Sequence, residues 1–356
     1  MEVARRGIRR RRVTFGLLAA LVAALAVVVA VTTASAGSKK ANATYVLGLS
    51  NTLAGNGWRE EMVCAFKAQA LASGKVSKVN ISSRNTDTAG QIADIRNLIS
   101  AGVNAIVINP SSPTALIPVA HEAMARGIKI VFVDQHVSDP GVYNATNDQV
   151  AYGRLGATWL FKKLHGKGNV VEMRGIAGVP ADTDRHKGFT QALKKFPKIK
   201  VVKSVFTGWQ FATGGKQMLD ILNSGLKVDG VWTSGIDYTV VNAFKTAKKK
   251  LVPIVGADNN GFLKQLKGLY PRFQGAAVTN PATIGGVGTT VAIRALAGQK
   301  VARWVKLRPQ VWTYQKNKAT INKYYSSKAP PDASAQLQVK PYTTYTIAQL
   351  RGCKGP

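Results

Sequence analysis

Two kinds of apolar pattern alternate along this chain. One is a short, often β-branched run bounded by Gly, Pro, Asn or Asp, at 45–50, 76–81, 105–108, 128–133, 169–173, 200–206, 230–233, 253–257 and 275–279. Such runs read as strands buried on both faces. The other is a spacing of three to four, as in Met62, Phe66 and Ala70, or Ile92, Ile95, Leu98 and Ile99. It predicts helices over 58–72, from Asn85-Thr86-Asp87-Thr88 onward, and over 113–126, 149–165, 182–195, 213–224, 238–249 and 284–296. Strand and helix take turns, stop after 133, and start again. That is the mark of an α/β fold built as two doubly wound parallel-sheet lobes. Residues 309–340 read as strand and irregular structure, followed by a tail.

In an open α/β sheet, ligands sit beyond the carboxyl ends of the strands. The run Gly102-Val103-Asn104-Ala105-Ile106-Val107-Ile108 ends on Asn109-Pro110. Val131-Phe132-Val133 closes on Asp134-Gln135, and Val255-Gly256-Ala257 closes on Asp258-Asn259, so each lobe offers an acidic strand end. The plain alternative is that these residues cap the helices that follow, and it applies equally to Asp237 ahead of helix 238–249.

The ends and the charge narrow the picture. Arg5, Arg6 and Arg9 to Arg12 precede an uncharged apolar stretch, Gly16 to Val31, and Ala34-Ser35-Ala36 has the small-x-small form of a cleavage site. Residues 1–36 therefore read as an export signal, the alternative being an uncleaved anchor. The folded part is expected outside the cytoplasm, in the periplasm or cell envelope. The chain has 49 Lys and Arg against 17 Asp and Glu, a formal charge of +32. Removing the six Arg and one Glu of residues 1–36 leaves 43 and 16, or +27. The lysines are scattered and no zinc-finger or RRM signature accompanies them, so they read as a solvated surface rather than a nucleic-acid site. His121, His136, His165 and His186 fall in no metal-ligand spacing, and no G-x-S-x-G elbow occurs. Neither a metal nor a cofactor is expected. Two cysteines, Cys64 and Cys353, permit one disulfide in an exported chain.

Several pieces then resemble one family in order and spacing: Gly102 to Pro110, Val131 to Asp134, Gly175-Ile176-Ala177-Gly178, Arg185 to Phe189, Val255 to Asp258, and Asn280-Pro281 with Gly285. Between residues 43 and 325 the chain resembles the ribose-binding-like, type I periplasmic sugar-binding proteins of ABC transporters. The resemblance implies an N-terminal lobe of 43–145 plus 281–309 and a C-terminal lobe of 146–280 plus 310–340. A multi-strand hinge would join them, and the tail 341–356 would pack back on the first lobe. It implies a monomer that closes on a monosaccharide-like ligand and delivers it to an ABC transporter permease, with membrane contact through the permease or an uncleaved N-terminal segment. A sensor presenting sugar or autoinducer to a receptor is the alternative within binding proteins; a glycosidase using Asp134 and Asp258 is the enzymatic one.

By position in the resemblance, the ligand-binding residues are Asn56, Trp58, Asn109, Asp134, Arg185, Trp209, Asp237, Asp258 and Asn280. Their chemistry suits a sugar: aromatics for the ring faces, carboxylates, amides and a guanidinium for the hydroxyl rim. The sequence departs from the ribose binders at Gln135-His136, at Trp58-Arg59 and at Gly235-Ile236-Asp237. With Arg59 and Arg185 near the cleft, a sugar acid or phosphorylated ligand is an option too. Because the tail carries β-type residues (Tyr342 to Ile347), it is expected to reach the first helix and bridge Cys353 to Cys64.

Overall fold

The computed structural model describes residues 44–356, so the expected export signal, residues 1–36, lies outside the described residues. The first lobe runs β1 (Tyr45–Asn51), α1 (Gly57–Ser73), β2 (Val76–Ser83), α2 (Thr88–Ser100), β3 (Ala105–Ile108), α3 (Ile117–Ala125), β4 (Lys129–Asp134) and β5 (Tyr143–Asn147). The second runs α4 (Gln149–Lys163), β6 (Lys167–Arg174), α5 (Pro180–Leu193), β7 (Lys198–Phe206), α6 (Phe211–Asn223), β8 (Gly230–Thr233), α7 (Asp237–Thr246), β9 (Ile254–Ala257), α8 (Asn260–Gly268) and β10 (Gly275–Val278). Then α9 (Ile284–Leu296) and β11 (Trp304–Leu307) return to the first lobe, and β12 (Val311–Trp312) and α10 (Tyr314–Tyr324) to the second. Finally α11 (Ile347–Gly352) packs on α1.

Each lobe holds a six-stranded sheet, in the orders β11-β5-β4-β3-β1-β2 and β12-β10-β9-β8-β6-β7. All pairings are parallel except that of β12 with β10. The continuous apolar runs follow from burial on both faces. In β3, Ala105 and Val107 pack with Met62, Phe66, Val287 and Val291 on one side, while Ile106 and Ile108 pack with Ile95, Leu98 and Val119 on the other.

Two strands, β5 and β11, and three helices, α8, α10 and α11, depart from the pattern-based expectation. β5 and β11 are strands that no apolar run announces. Asn144 exchanges hydrogen bonds with the backbone of Val137 at 3.0 Å each, and Thr146 accepts from Trp304 Nε1 at 2.8 Å, so this edge is held by polar side chains. Within 309–340, read as strand and irregular structure, Val311–Trp312 is the strand β12, but Tyr314–Tyr324 is the helix α10. Thr313 caps it by accepting from the Lys316 amide, and only Ile321 is buried, which leaves no apolar stripe to read.

The chain crosses between the lobes after β5, after β10 and between β11 and β12. Asn147 Nδ2 donates to Thr279 O at 3.0 Å and to Asn280 Oδ1 at 2.9 Å, and the Thr279 amide donates to Gln310 O at 2.9 Å, so the three crossings lie side by side. A fourth follows: Leu337 packs in the second lobe's core, and Val339 and Tyr342 in the first's. Beyond it, Tyr345 and Leu350 cover Ala65 and Ala68 of α1, and a disulfide joins Cys353 to Cys64.

Candidate functional site

Strand ends of both lobes and the crossings between them enclose one cavity. It is lined by Leu53 and Asn56 from the β1–α1 loop, Trp58 and Arg59 from the start of α1, Asp134 from β4, Ala181 and Arg185 from α5, and Trp209, Phe211, Ser234 and Gly235 from the β7–α6 and β8–α7 turns. Ala257, Asp258, Asn259, Asn280, Asp332 and Ser334 complete it. Seven of the nine residues singled out from sequence are thus brought together: Asn56, Trp58, Asp134, Arg185, Trp209, Asp258 and Asn280.

Its floor is a buried lattice of charges and amides. Gln149 Nε2 donates to Asp134 Oδ1 at 2.7 Å, while Gln149 Oε1 accepts from Arg185 Nε at 2.8 Å. The Arg185 Nη1 donates to Ser234 O at 2.8 Å and to its hydroxyl at 3.1 Å. Arg59 Nη1 donates to Asn51 Oδ1 at 2.7 Å. Burial lowers the Arg59 pKa to about 10 and Arg185 adds to this, Asp134 opposing, so Arg59 stays charged at neutral pH. The Asp134 carboxyl is pushed up from its usual range by burial, against the pull of Arg185 and Arg59. Buried charges persist only when paired in this way.

Asp258 is different. Its Oδ1 accepts from the Asn280 amide at 3.0 Å, but its Oδ2 is buried without a partner. Burial pushes this carboxyl up to about 7. Asp258 lines the cavity, and a buried carboxylate oxygen that accepts nothing is an acceptor waiting for a donor.

The aromatic walls are fixed as firmly. Trp58 Nε1 donates to Asn280 O at 2.6 Å, and Trp209 Nε1 to Ser234 O at 3.0 Å. The Trp209 indole lies against Gly175, where any Cβ would come within 2.2 Å of the ring. Asp134 and Trp209 both have positive φ, 66° and 53°, a conformation uncommon for residues other than Gly and one that gathers at functional sites. Asn56 has two tasks: its Oδ1 caps α1 by accepting from the Arg59 amide, and its Nδ2 donates across the cleft to Trp209 O at 3.0 Å.

Asn109 and Asp237 stand behind the cavity and do not line it. Asn109 Oδ1 accepts from Gln135 Nε2 at 2.6 Å, and Gln135 Oε1 in turn accepts from the Ala181 amide of the other lobe at 3.0 Å. Asp237, pushed up to about 7 by burial, accepts from the amides of Ala257 and Tyr238 and from Asn259 Nδ2, and so braces the loop that carries Asp258. The sequence reading did not place Leu53, Phe211, Ser234, Asn259, Asp332 or Ser334 at the cleft, nor Gln149 beneath it. No motif marks them. Gln149 had one local signal, its place just after the Asp148 cap at the hinge crossing. Among the described residues no group of three or more His, Cys, Asp and Glu could hold a metal ion.

Residues 47–300 match a family described as the periplasmic binding protein domain. The chain is 29% identical over 233 residues to the galactofuranose-binding protein of Escherichia coli, covering 63% of this chain and 73% of that one. It is 32% identical over 180 residues to a xylitol-binding protein of Mycolicibacterium smegmatis, a match spanning 49% of this chain and 52% of the other. The crystal structure of an ABC transporter solute-binding protein from Thermobispora bispora superposes with a TM-score of 0.75 at 27% identity, over 87% of this chain and 94% of that one.

Proposed function

The chain belongs to the periplasmic binding protein family, and from that premise we propose that it captures one small neutral sugar or polyol between its lobes for an ABC importer. Members of this family bind solutes for transport rather than turn them over. The relatives named for galactofuranose and xylitol point to a polyhydroxylated ligand.

The observation that carries the reading is the unpartnered Oδ2 of Asp258, a residue that lines the cavity together with Trp58 and Trp209. A ligand hydroxyl supplies the missing donor, and an indole face covers the apolar side of the ring. Asp134 and Asp332 balance the two guanidiniums at the cavity and burial pushes Asp258 up to about 7, so no excess positive charge is left there for a sugar acid or phosphate, which favours neutral ligands. Contacts from both lobes stabilise the closed form, and closure presents the face that a permease reads. Export by residues 1–36, delivery to a permease and a monomeric state belong to the same proposal.

A melting-temperature screen over neutral sugars, polyols and sugar acids tests it. A ligand at 100 times its Kd adds about 2.7 kcal/mol, so one neutral member should raise the melting temperature clearly. A response only to sugar acids, or to none of the three classes, would overturn the reading.

A further inference from the structure

The segment after α10 lies beyond the matched residues 47–300 and does more than fill the gap to the tail. It is sewn to the second lobe. The Asn260 amide donates to Ala333 O at 2.8 Å, Gly261 to Pro331 O at 2.7 Å and Ala335 to Asp258 O at 2.8 Å, while Asn260 Nδ2 donates to Ser326 O and Ala329 O. From this platform Asp332 reaches the first lobe, where its Oδ2 accepts from the Gly57 amide at 3.0 Å. Gly57 is the first residue of α1, and a Cβ there would meet the Asp332 carboxyl carbon at 2.5 Å, so the approach requires glycine. An amide at a helix start has no partner within its helix, and a carboxylate there also meets the positive end of the helix dipole. The same helix start is held on its other flank by Asn56 and Trp209 O.

We propose that Asp332 is an interlobe latch: a positioning residue that, carried on one lobe, caps the first helix of the other and so sets how readily the cleft opens. The crossing beside it permits this. Thr283, next to the β10–α9 crossing, donates its hydroxyl to Leu337 O at 2.6 Å, so the segment turns with the hinge and Asp332 swings with the second lobe. The link to solute affinity rests on the reading of the cavity as a solute site. The latch itself does not.

Three variants of the full chain separate the cases. Asp332→Ala removes the acceptor, Asp332→Asn keeps an acceptor oxygen without the charge, and Gly57→Ala keeps the amide but displaces the carboxylate. Protection from hydrogen exchange at the residue-57 amide, relative to each variant's unfolded chain, should fall about fivefold in D332A and G57A, the factor that loss of a typical side-chain cap represents. D332N should recover most of the protection, and the D332A/G57A double variant should exchange no faster than either single one. With D-galactose, D-ribose and xylitol as probes, whichever binds the parent should leave D332A about fivefold faster. Unchanged protection at the residue-57 amide in both D332A and G57A overturns the latch, as does additivity in the double variant. Failure of every probe to bind the parent would count against the solute reading and leave the exchange result to decide the latch.

Discussion

Replacing Asp258 by Asn changes one atom that matters and spares its neighbour. The Asn side-chain oxygen can still accept from the Asn280 amide, as Asp258 Oδ1 does at 3.0 Å. The second position becomes an NH2, which offers protons where the bound hydroxyl needs an acceptor. A charge-assisted hydrogen bond is worth about 1.5–3 kcal/mol, so Kd should rise about 10- to 150-fold at about 1.4 kcal/mol per decade. Stability should move the other way. Burial raises the folded-state pKa of Asp258 to about 7, so between the ordinary Asp range, near 3.9, and pH 7 the folded chain holds a proton that the unfolded chain has lost. That contribution is fully present below the unfolded pKa and fades as pH rises through 7. The variant lacks this loss. It should melt above the parent at pH 8, with the gap closing toward pH 4. Parent affinity, in contrast, should weaken as pH falls below 7, because the protonated oxygen no longer accepts, and D258N should show no such slope. Titration calorimetry at pH 5.5 and 8, with the ligand that gives the largest melting shift, reads affinity; scanning calorimetry at the same two pH values reads stability. Binding within twofold of the parent at pH 8, or a lower melting temperature there, would refute the assignment of Oδ2 as the ligand's acceptor.

Trp209→Ala should weaken binding by about 1–3 kcal/mol through lost stacking and lost fixing of the β7–α6 turn, read as a Kd shift by calorimetry; an unchanged Kd would remove it from the ligand wall. Glu61, buried in α1 with Oε1 unpartnered, is pushed up to about 8 by burial and then by Asp258. Glu61→Gln should therefore melt above the parent by a margin that grows from about pH 4.3 to pH 8 and then levels off; a constant margin across that range would contradict the shift. Cys353→Ser opens a loop spanning 289 residues in sequence, for which the chain-entropy view sets a ceiling of about 5–6 kcal/mol. The melting temperature should fall while ligand affinity holds, since residues 326–335 remain fixed to the second lobe without the bond.

What could be read from sequence was whatever leaves a pattern in apolar residues. Strands such as Ala105–Ile108 and Gly230–Thr233 are buried on both faces, so their letters are apolar without interruption, and α9 shows the same clarity at its 284–296 boundaries. Asp134 and Asp258 stood out because each ends such a strand. β5 stayed hidden because three of its four buried positions are the polar Asn144, Thr146 and Asn147, whose partners are the Val137 backbone, Trp304 and, at the hinge crossing, Thr279 and Asn280. The cavity divides along the same line. Trp58 and Trp209 carry chemistry in their own letters, whereas Gln149, Gln135 and Asp332 act through partners 15 to 275 positions away, a separation no local spacing encodes. Asn109 shows the converse: a strand-end amide whose letters suggest a ligand contact but whose oxygen is taken by Gln135.

The bond between Cys64 and Cys353 also makes the described chain, in mechanical terms, a short lead attached to a closed ring. A pull between Thr44 and Lys354 travels through about 20 residues, through the sulfur atoms, and out again. The whole second lobe lies inside the ring, shielded from the load, because both attachment points are on the first lobe. At about 3.3–3.6 Å per extended residue, the lead can release only about 70 Å of length. The ring keeps roughly 950–1,040 Å in reserve until the bond is reduced, so a stretched molecule should lengthen in two steps of very unequal size, the larger one only in the presence of a thiol.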